Sequence, residues 1–97
     1  MSNLTIAATR RLPNLTEAKM VELFDARLNS NDIALTNEKI IVACEGAQIL
    51  VPTVTDKLDV NLIRALPDSI RMLANFGAGV DQIDFQAAAT RNMVVTN

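Results

Sequence analysis

Residues 70–97 read IRMLANFGAGVDQIDFQAAATRNMVVTN and contain a complete strand–turn–helix–strand pattern. Ile70 to Phe76 (IRMLANF) is an apolar run of strand length, and MVVTN at residues 93–97 is a second one. The glycine-bearing turn GAGVD and the helical pattern FQAAATRN lie between them. Two strands joined by a crossover helix form a right-handed unit in which the strands are parallel. This stretch therefore predicts a parallel α/β sheet.

The same alternation extends back through residues 4–69. Leu4 to Thr9 (LTIAAT) predicts the first strand, and Ile49 to Val54 (ILVPTV) predicts the third. The third strand should finish near Pro52, because proline cannot donate a ladder hydrogen bond. The second strand has a weak signal, and we expect it between Arg27 and Asn29 or around Ile33.

Helical patterns fill the gaps between these strands. Thr16 is predicted as the N-cap of the first helix, and Thr36 opens the second, which should end at Gly46. A shorter pattern, NLIRAL at residues 61–66, stops before Pro67. Five strands with helices on both faces predict an α/β fold, a flavodoxin-like doubly wound parallel sheet. The chain ends on a strand, which is unusual for a complete domain, so we expect a fragment of a longer protein.

Composition excludes several kinds of site. The 97 residues are 49% apolar and 21% charged, as in one globular domain, and the net charge of −2 without a basic stripe disfavours nucleic acid as a partner. There is no histidine, so an imidazole base or a histidine-ligated metal cannot be built from this chain. The one cysteine, Cys44, is expected in the core of a cytoplasmic protein. No run approaches the ~20 apolar residues of a membrane span, so no membrane partner is expected.

The turn after the fourth strand is the candidate binding site. Ligands of parallel sheets bind outside the carboxyl ends of the strands, where GAGVD lies. Gly77 and Gly79 permit a close approach to the backbone, and successive amides in such a turn form an anion-binding concavity. GAGVDQ also supplies two glycines of a dinucleotide-binding GxGxxG, but Gln82 occupies the third position. The structural alternative is a simple glycine bend with Asp84 as the N-cap of the next helix.

Other polar residues near the predicted strand ends have structural and functional interpretations. Asp56 and Asp59 resemble a carboxylate pair, but around a turn they are more often caps. An arginine pair follows the first strand and could bind phosphate, although solvated loop charges are the commoner case. This pair is Arg10 and Arg11. Thr53 and Thr55 lie near the rim of GAGVD and are the remaining candidates, although ordinary strand-end hydroxyls are the commoner case.

Four segments together resemble the D-isomer-specific 2-hydroxyacid dehydrogenases, especially the glyoxylate and hydroxypyruvate reductases. They are TRRLP (9–13), ILVPTVTDKLD (49–59), IRMLANFGAGVDQID (70–84) and AAATRNMVVTN (87–97). The resemblance implies that residues 1–97 are the N-terminal part of the substrate-binding (catalytic) domain of a two-domain enzyme, without its Rossmann NAD(P)-binding domain. It also implies that the backbone amides of Ala78 and Gly79 hold the substrate carboxylate, and that Val54 lends an apolar side chain to the pocket.

The resemblance implies a reaction as well. Family members transfer a hydride between a nicotinamide cofactor, NAD or NADP, and the carbonyl carbon of a small 2-oxo acid. Their catalytic Arg, Glu and His have no counterparts in this chain, so we expect it to bind no cofactor and to be inactive alone. The full-length enzyme is expected to be a homodimer.

Two other function classes are weighed against this one. A receiver domain needs acidic residues after its first strand, where this chain has TIAATRR, and a flavin-binding module needs a phosphate loop there, for which Thr9 alone is poor. A non-catalytic regulatory module or corepressor built on the dehydrogenase scaffold remains the alternative function.

Overall fold

The structure, a computed structural model, describes residues 3–77 and 82–96. Strands and helices alternate along the chain: β1 (Thr5–Ala8), α1 (Asn14–Leu23), β2 (Asp25–Arg27), α2 (Asn37–Ala43), β3 (Ile49–Val51), α3 (Val60–Ala65), β4 (Met72–Ala74), α4 (Phe85–Thr90) and β5 (Val94–Thr96). The five strands form one parallel sheet in the order β2-β1-β3-β4-β5. This is the flavodoxin-like order, so the predicted doubly wound fold is confirmed.

The sheet buries both of its faces, because alternate residues of each strand point to opposite sides. Ala7, Leu50 and Leu73 face the larger core, which they share with buried residues of α2, α3 and α4. The residues on either side of them in the strands face the smaller core, into which α1 inserts Met20. Among the described residues, no helix is long and apolar enough to cross a membrane.

Three predicted caps are confirmed. The side chain of Thr36 accepts a hydrogen bond from the Lys39 N–H at 3.3 Å at the start of α2. At the start of α3 the Asp59 side chain accepts from the Leu62 N–H at 2.9 Å. At the start of α4 the Asp84 side chain accepts from the Ala87 N–H at 3.0 Å. Each such bond satisfies an amide that would otherwise lack a partner in the first turn of the helix.

Two predictions at the start of the chain are wrong. Helix α1 has Pro13 at its N-cap position and begins at Asn14, so Thr16 lies inside the first turn. The Glu17 carboxylate instead accepts a hydrogen bond from the Leu12 N–H at 3.1 Å. Strand β2 lies at Asp25–Arg27 and overlaps the first predicted position only at Arg27, because its two charged residues carry no strand pattern and pairing with β1 places it.

Helix α2 ends earlier than predicted, whereas the predicted end of β3 near Pro52 is confirmed. Helix α2 ends at Ala43, and Gly46 lies three residues later with a φ of +74°, in the left-handed region that favours glycine. Strand β3 ends at Val51, directly before Pro52, as the missing proline N–H requires.

Candidate functional site

The loops that follow β1, β2, β3 and β4 meet at the carboxyl edge of the sheet. They line a cleft of about 340 Å³. The strand order of the sheet reverses direction between β1 and β3. In doubly wound sheets such a reversal opens a crevice at the carboxyl ends of the strands, and ligands bind in it. The lining residues are Arg10, Arg11, Asp32, Thr53, Val54, Thr55, Phe76 and Gly77.

The loop after β3 touches the first residue of the glycine turn. Thr53 and Phe76 form a parallel bridge, in which the Phe76 N–H donates to the Pro52 carbonyl at 2.9 Å. Gly77 has a φ of +151°, and a Cβ placed there would lie 2.8 Å from Cγ1 of Val54. A side chain at position 77 would therefore collide with Val54. The two segments singled out in the sequence are neighbours in the fold.

Val54, the predicted apolar site residue, lines the cleft, and its role stays a prediction. Its side chain is 62% exposed at the mouth of the cleft, although it belongs to a loop whose neighbours Pro52 and Thr53 are buried. Ala78 and Gly79, the predicted carboxylate donors, lie outside the described residues. Their role stays a prediction, while the position of Val54 beside Gly77 agrees with it.

A buried carboxylate closes the loop that carries Val54. Oδ2 of Asp56 accepts hydrogen bonds from the Thr53 N–H at 2.8 Å and from the Thr53 hydroxyl at 3.3 Å. The same oxygen accepts a hydrogen bond from the hydroxyl of Thr9, at the end of β1. Asp56 is 7% exposed and Thr9 is 1% exposed. Buried polar groups of this kind need such partners, and here three donors converge on one oxygen.

An ion pair borders the cleft on the β1 side. Nε of Arg10 donates to Oδ1 of Asp32 at 2.9 Å, and the Arg11 N–H donates to the same oxygen at 2.9 Å. The Arg10 hydrogen bond, together with the Arg11 N–H, lowers the pKa of the Asp32 carboxyl, and Asp32 in turn raises the pKa of Arg10. Arg10 also reaches the Thr55 hydroxyl at 3.3 Å. The Arg10 charge is thus largely matched by Asp32.

An amide pair spans the base of the glycine turn. Nε2 of Gln82 donates to Oδ1 of Asn75 at 2.7 Å and lies 3.4 Å from the Thr53 carbonyl. Gln82 also accepts a backbone hydrogen bond from Leu58 at 2.9 Å. The two ends of the turn are therefore held together from outside the turn itself, which a glycine turn needs if its amides are to keep one direction.

The chain matches one protein family over nearly all of its length. The family model described as "D-isomer specific 2-hydroxyacid dehydrogenase, catalytic domain" matches residues 6–97. The chain belongs to this family. It is 27% identical to a glycerate dehydrogenase from Hyphomicrobium methylovorum over 97 residues, which are 100% of this chain and 30% of that protein.

Solved structures of the family have the same fold. A protein from a Polaromonas species, described as a D-isomer specific 2-hydroxyacid dehydrogenase, superposes with a TM-score of 0.87 at 28% identity, over 98% of this chain and 30% of that one. An NADPH-dependent glyoxylate/hydroxypyruvate reductase from Sinorhizobium meliloti, in complex with NADP and malonate, gives a TM-score of 0.76 at 26% identity, over 99% and 28%. The chain therefore spans about 30% of the length of the relatives that it matches.

In this dehydrogenase-family chain, the described residues after the glycine turn differ from those of a dinucleotide fingerprint. In a nucleotide fingerprint the turn leads straight into a helix whose free N-terminal amides face the pyrophosphate. Here Ile83 bridges to Leu58, which separates the turn from α4. The Asp84 carboxylate already occupies the α4 N-terminus through its bond to the Ala87 N–H, and its negative charge opposes a pyrophosphate. The residues described here offer no built site for NAD or NADP.

Sequence reasoning found the loops of the cleft but missed the residues that support them. By its position in the sequence Asp56 is a turn cap, and Gln82 stands out only as a departure from GxGxxG. The contact of Asp56 with Thr9 joins residues 47 positions apart, for which the sequence carries no signal. Gln82 could have been found, since a polar side chain just after a glycine turn can bond back across it. Asp59, by contrast, caps α3 and does not line the cleft.

Proposed function

We propose that this chain forms part of the substrate site of an NAD(P)-dependent oxidoreductase that acts on the CH–OH group of D-2-hydroxy acids. In the reverse direction the enzyme would reduce small 2-oxo acids such as glyoxylate and hydroxypyruvate. The observation that carries the proposal is the contact of the Val54 loop with Gly77 at the carboxyl edge of the sheet. Family membership and the glyoxylate/hydroxypyruvate reductase among its structural neighbours support the substrate class.

Each part of the cleft would have a separate task. The amides of Ala78 and Gly79 would donate to the substrate carboxylate, a charge-assisted bond that needs no cationic side chain. Val54 and Phe76 would form an apolar wall beside the carbon skeleton. The positive charge of Arg10 would be offset by Asp32, with which it forms an ion pair at 2.9 Å. The site would thus select a small anion by backbone geometry.

The nicotinamide, when bound, would supply the hydride, and we propose that residues beyond this chain hold it. The chain has no histidine that could protonate the carbonyl oxygen of the substrate. The isolated 97 residues are therefore proposed to bind a 2-oxo acid weakly and to catalyse nothing. Homodimer formation and a cytoplasmic location remain predictions for the full-length enzyme.

The proposal is tested by binding and by turnover. Oxamate, an unreactive analogue of a 2-oxo acid, is titrated into the ¹⁵N-labelled chain, and we expect saturable shifts of the amide resonances at residues 77–82. NAD(P)H oxidation with glyoxylate should stay at the buffer blank. Shifts confined to other segments would refute the carboxylate site, and turnover in a preparation free of host reductases would refute the inactivity.

Two substitutions distinguish a backbone site from a structural bend. Gly79→Pro deletes one N–H, and a lost charge-assisted hydrogen bond of about 1.5–3 kcal/mol predicts about a ten- to hundred-fold weaker affinity for oxamate. Ala78→Val keeps its amide and is the matched control, with an affinity close to that of the wild type. If wild type and Gly79→Pro, both shown to be folded by thermal melts, bind oxamate with equal affinity, the backbone carboxylate site is refuted and the turn is a structural glycine bend.

A further inference from the structure

The loop that carries Val54 is a hydrogen-bonded turn with Asp56 at its end. The Asp56 N–H donates to the Thr53 carbonyl at 3.0 Å, which closes a four-residue β-turn with Val54 and Thr55 at its centre. The Asp56 side chain folds back over the same turn and accepts the Thr53 N–H at 2.8 Å. Asp56 therefore fastens the turn through both its backbone and its side chain, and Val54 is presented at the tip.

The hydroxyl of Thr9 fixes the direction of this turn relative to the sheet. Thr9 lies at the end of β1, where its own N–H donates to the Val51 carbonyl at 3.3 Å. Its hydroxyl donates to Oδ2 of Asp56, so the carboxylate is tied to the neighbouring strand as well as to its own loop. A turn closed on itself could still swing as a unit, whereas one tied to β1 cannot.

The consequence of this tie is visible on the other side of the turn. Val54 is 62% exposed and makes its close approach to Gly77, where a Cβ would come within 2.8 Å of its Cγ1. An exposed valine on a short loop has no packing that would hold it in this position. The Thr53–Phe76 bridge joins the start of the turn to the end of β4, and the Thr9–Asp56–Thr53 bonds hold the rest of the turn.

We propose that Asp56 is a positioning residue that holds Val54 against the glycine turn, with Thr9 as its anchor. The proposal rests on the proposed function, because it names what sets the shape of that substrate cleft. Asp56 itself touches no substrate; it acts through Thr53 on Val54. Removing its carboxylate should leave a folded chain in which the turn samples other directions, and the competent cleft is then only fractionally populated.

Asp59 supplies a matched control for the test. It is an aspartate three residues further on that also accepts a backbone N–H, from Leu62 at 2.9 Å, but it caps α3 and does not line the cleft. Loss of either carboxylate should lower the stability of the chain. Only Asp56→Ala should also change the cleft, so the comparison separates positioning from general destabilisation.

The first measurement needs no ligand. In the 97-residue chain we expect a nuclear Overhauser effect between the Val54 γ-methyl and the Gly77 α-protons in the wild type and in Asp59→Ala. It should fall about three- to ten-fold in Asp56→Ala and weaken less in Thr9→Val, and Thr9→Ser should restore it. Asp56→Asn retains an acceptor oxygen and should keep most of it. Retention of full intensity in both Asp56→Ala and Thr9→Val would overturn the proposal.

The second measurement is oxamate affinity in the same variants. Asp56→Ala is expected to raise the Kd about three- to ten-fold, by the fraction of chains in which the cleft is competent, and Asp59→Ala should leave it unchanged. Equal changes in the two variants would overturn the positioning role. If Asp56→Ala does not fold, Thr9→Val and Asp56→Asn decide the question. A wild type that binds no oxamate would refute the proposed function, while the methyl–glycine contact would still decide the role of Asp56.

Discussion

Gly77→Ala should reveal how closely the two loops of the cleft approach each other. The substitution adds one methyl group at a residue with a φ of +151° and places it 2.8 Å from Cγ1 of Val54. Two costs follow. A side chain at this backbone conformation is strained by roughly 1–3 kcal/mol, and pushing the exposed Val54 side chain off its preferred rotamer adds about 0.5–1.5 kcal/mol.

The two costs can be separated with a second substitution. Val54→Ala removes Cγ1, and because Val54 is 62% exposed its own truncation should change the free energy of unfolding by no more than about 0.5 kcal/mol. In that background Gly77→Ala should cost only the backbone strain. The double-mutant cycle should therefore show a coupling of about 0.5–1.5 kcal/mol, because Gly77→Ala costs less when Cγ1 of residue 54 is absent.

Gly46→Ala is the control for strain without overlap. Gly46 has a φ of +74°, and a Cβ there would meet only the end of the Arg27 side chain at 3.8 Å, an ordinary contact. It should cost about 1–2 kcal/mol, and its cost should be the same with valine or alanine at position 54.

Urea unfolding, followed by circular dichroism and fitted with one shared m-value, gives the free energies of unfolding of the wild type, the two single variants and the double variant. A domain of this length has about 5–15 kcal/mol of stability, so the single variants should stay folded. Coupling between positions 77 and 54 that is no larger than between 46 and 54 would refute the close contact, and with it the geometry on which the cleft is built.

Three further predictions concern other parts of the molecule. Burial raises the pKa of the Cys44 thiol to about 12, so the thiol should react with a disulfide reagent at neutral pH only when denaturant unfolds the chain. Arg10 lowers the pKa of the Asp32 carboxyl in the folded state. The stability that this pair contributes is therefore present in full above the ordinary carboxyl pKa and is lost as the pH falls through the pKa of the folded state. Carbon-detected titration of Asp32 measures this pKa, and Asp32→Asn should reduce the loss of stability at acid pH. On the α1 face of the sheet, Val94 is 54% exposed beside the half-buried Met72. We therefore expect the chain to self-associate or to bind a hydrophobic dye, and Val94→Lys should reduce both. A strictly monomeric chain that binds no dye would contradict this prediction.

Much of the fold follows from local sequence patterns. Strands β1, β3, β4 and β5 lie within predicted runs, because buried strands of a parallel sheet are continuous apolar segments. The caps at Thr36, Asp59 and Asp84 are equally readable, since each bond joins residues only three positions apart. The bounds of β2 do not follow from the sequence, because an edge strand with two charged residues out of three is held by pairing with β1 and has no apolar pattern of its own.

The candidate site divides in the same way. The sequence by itself determined that the glycine turn and the loop after β3 lie at one edge of the sheet, since parallel strands place their carboxyl ends together. Only the tertiary structure decided that Val54 lies against Gly77 and that the Asp56 carboxylate is tied to Thr9. Those contacts join residues 23 and 47 positions apart, and no residue type or spacing encodes them. They exist because strand pairing brings the ends of β1, β3 and β4 within hydrogen-bonding distance, where a buried carboxylate must find donors.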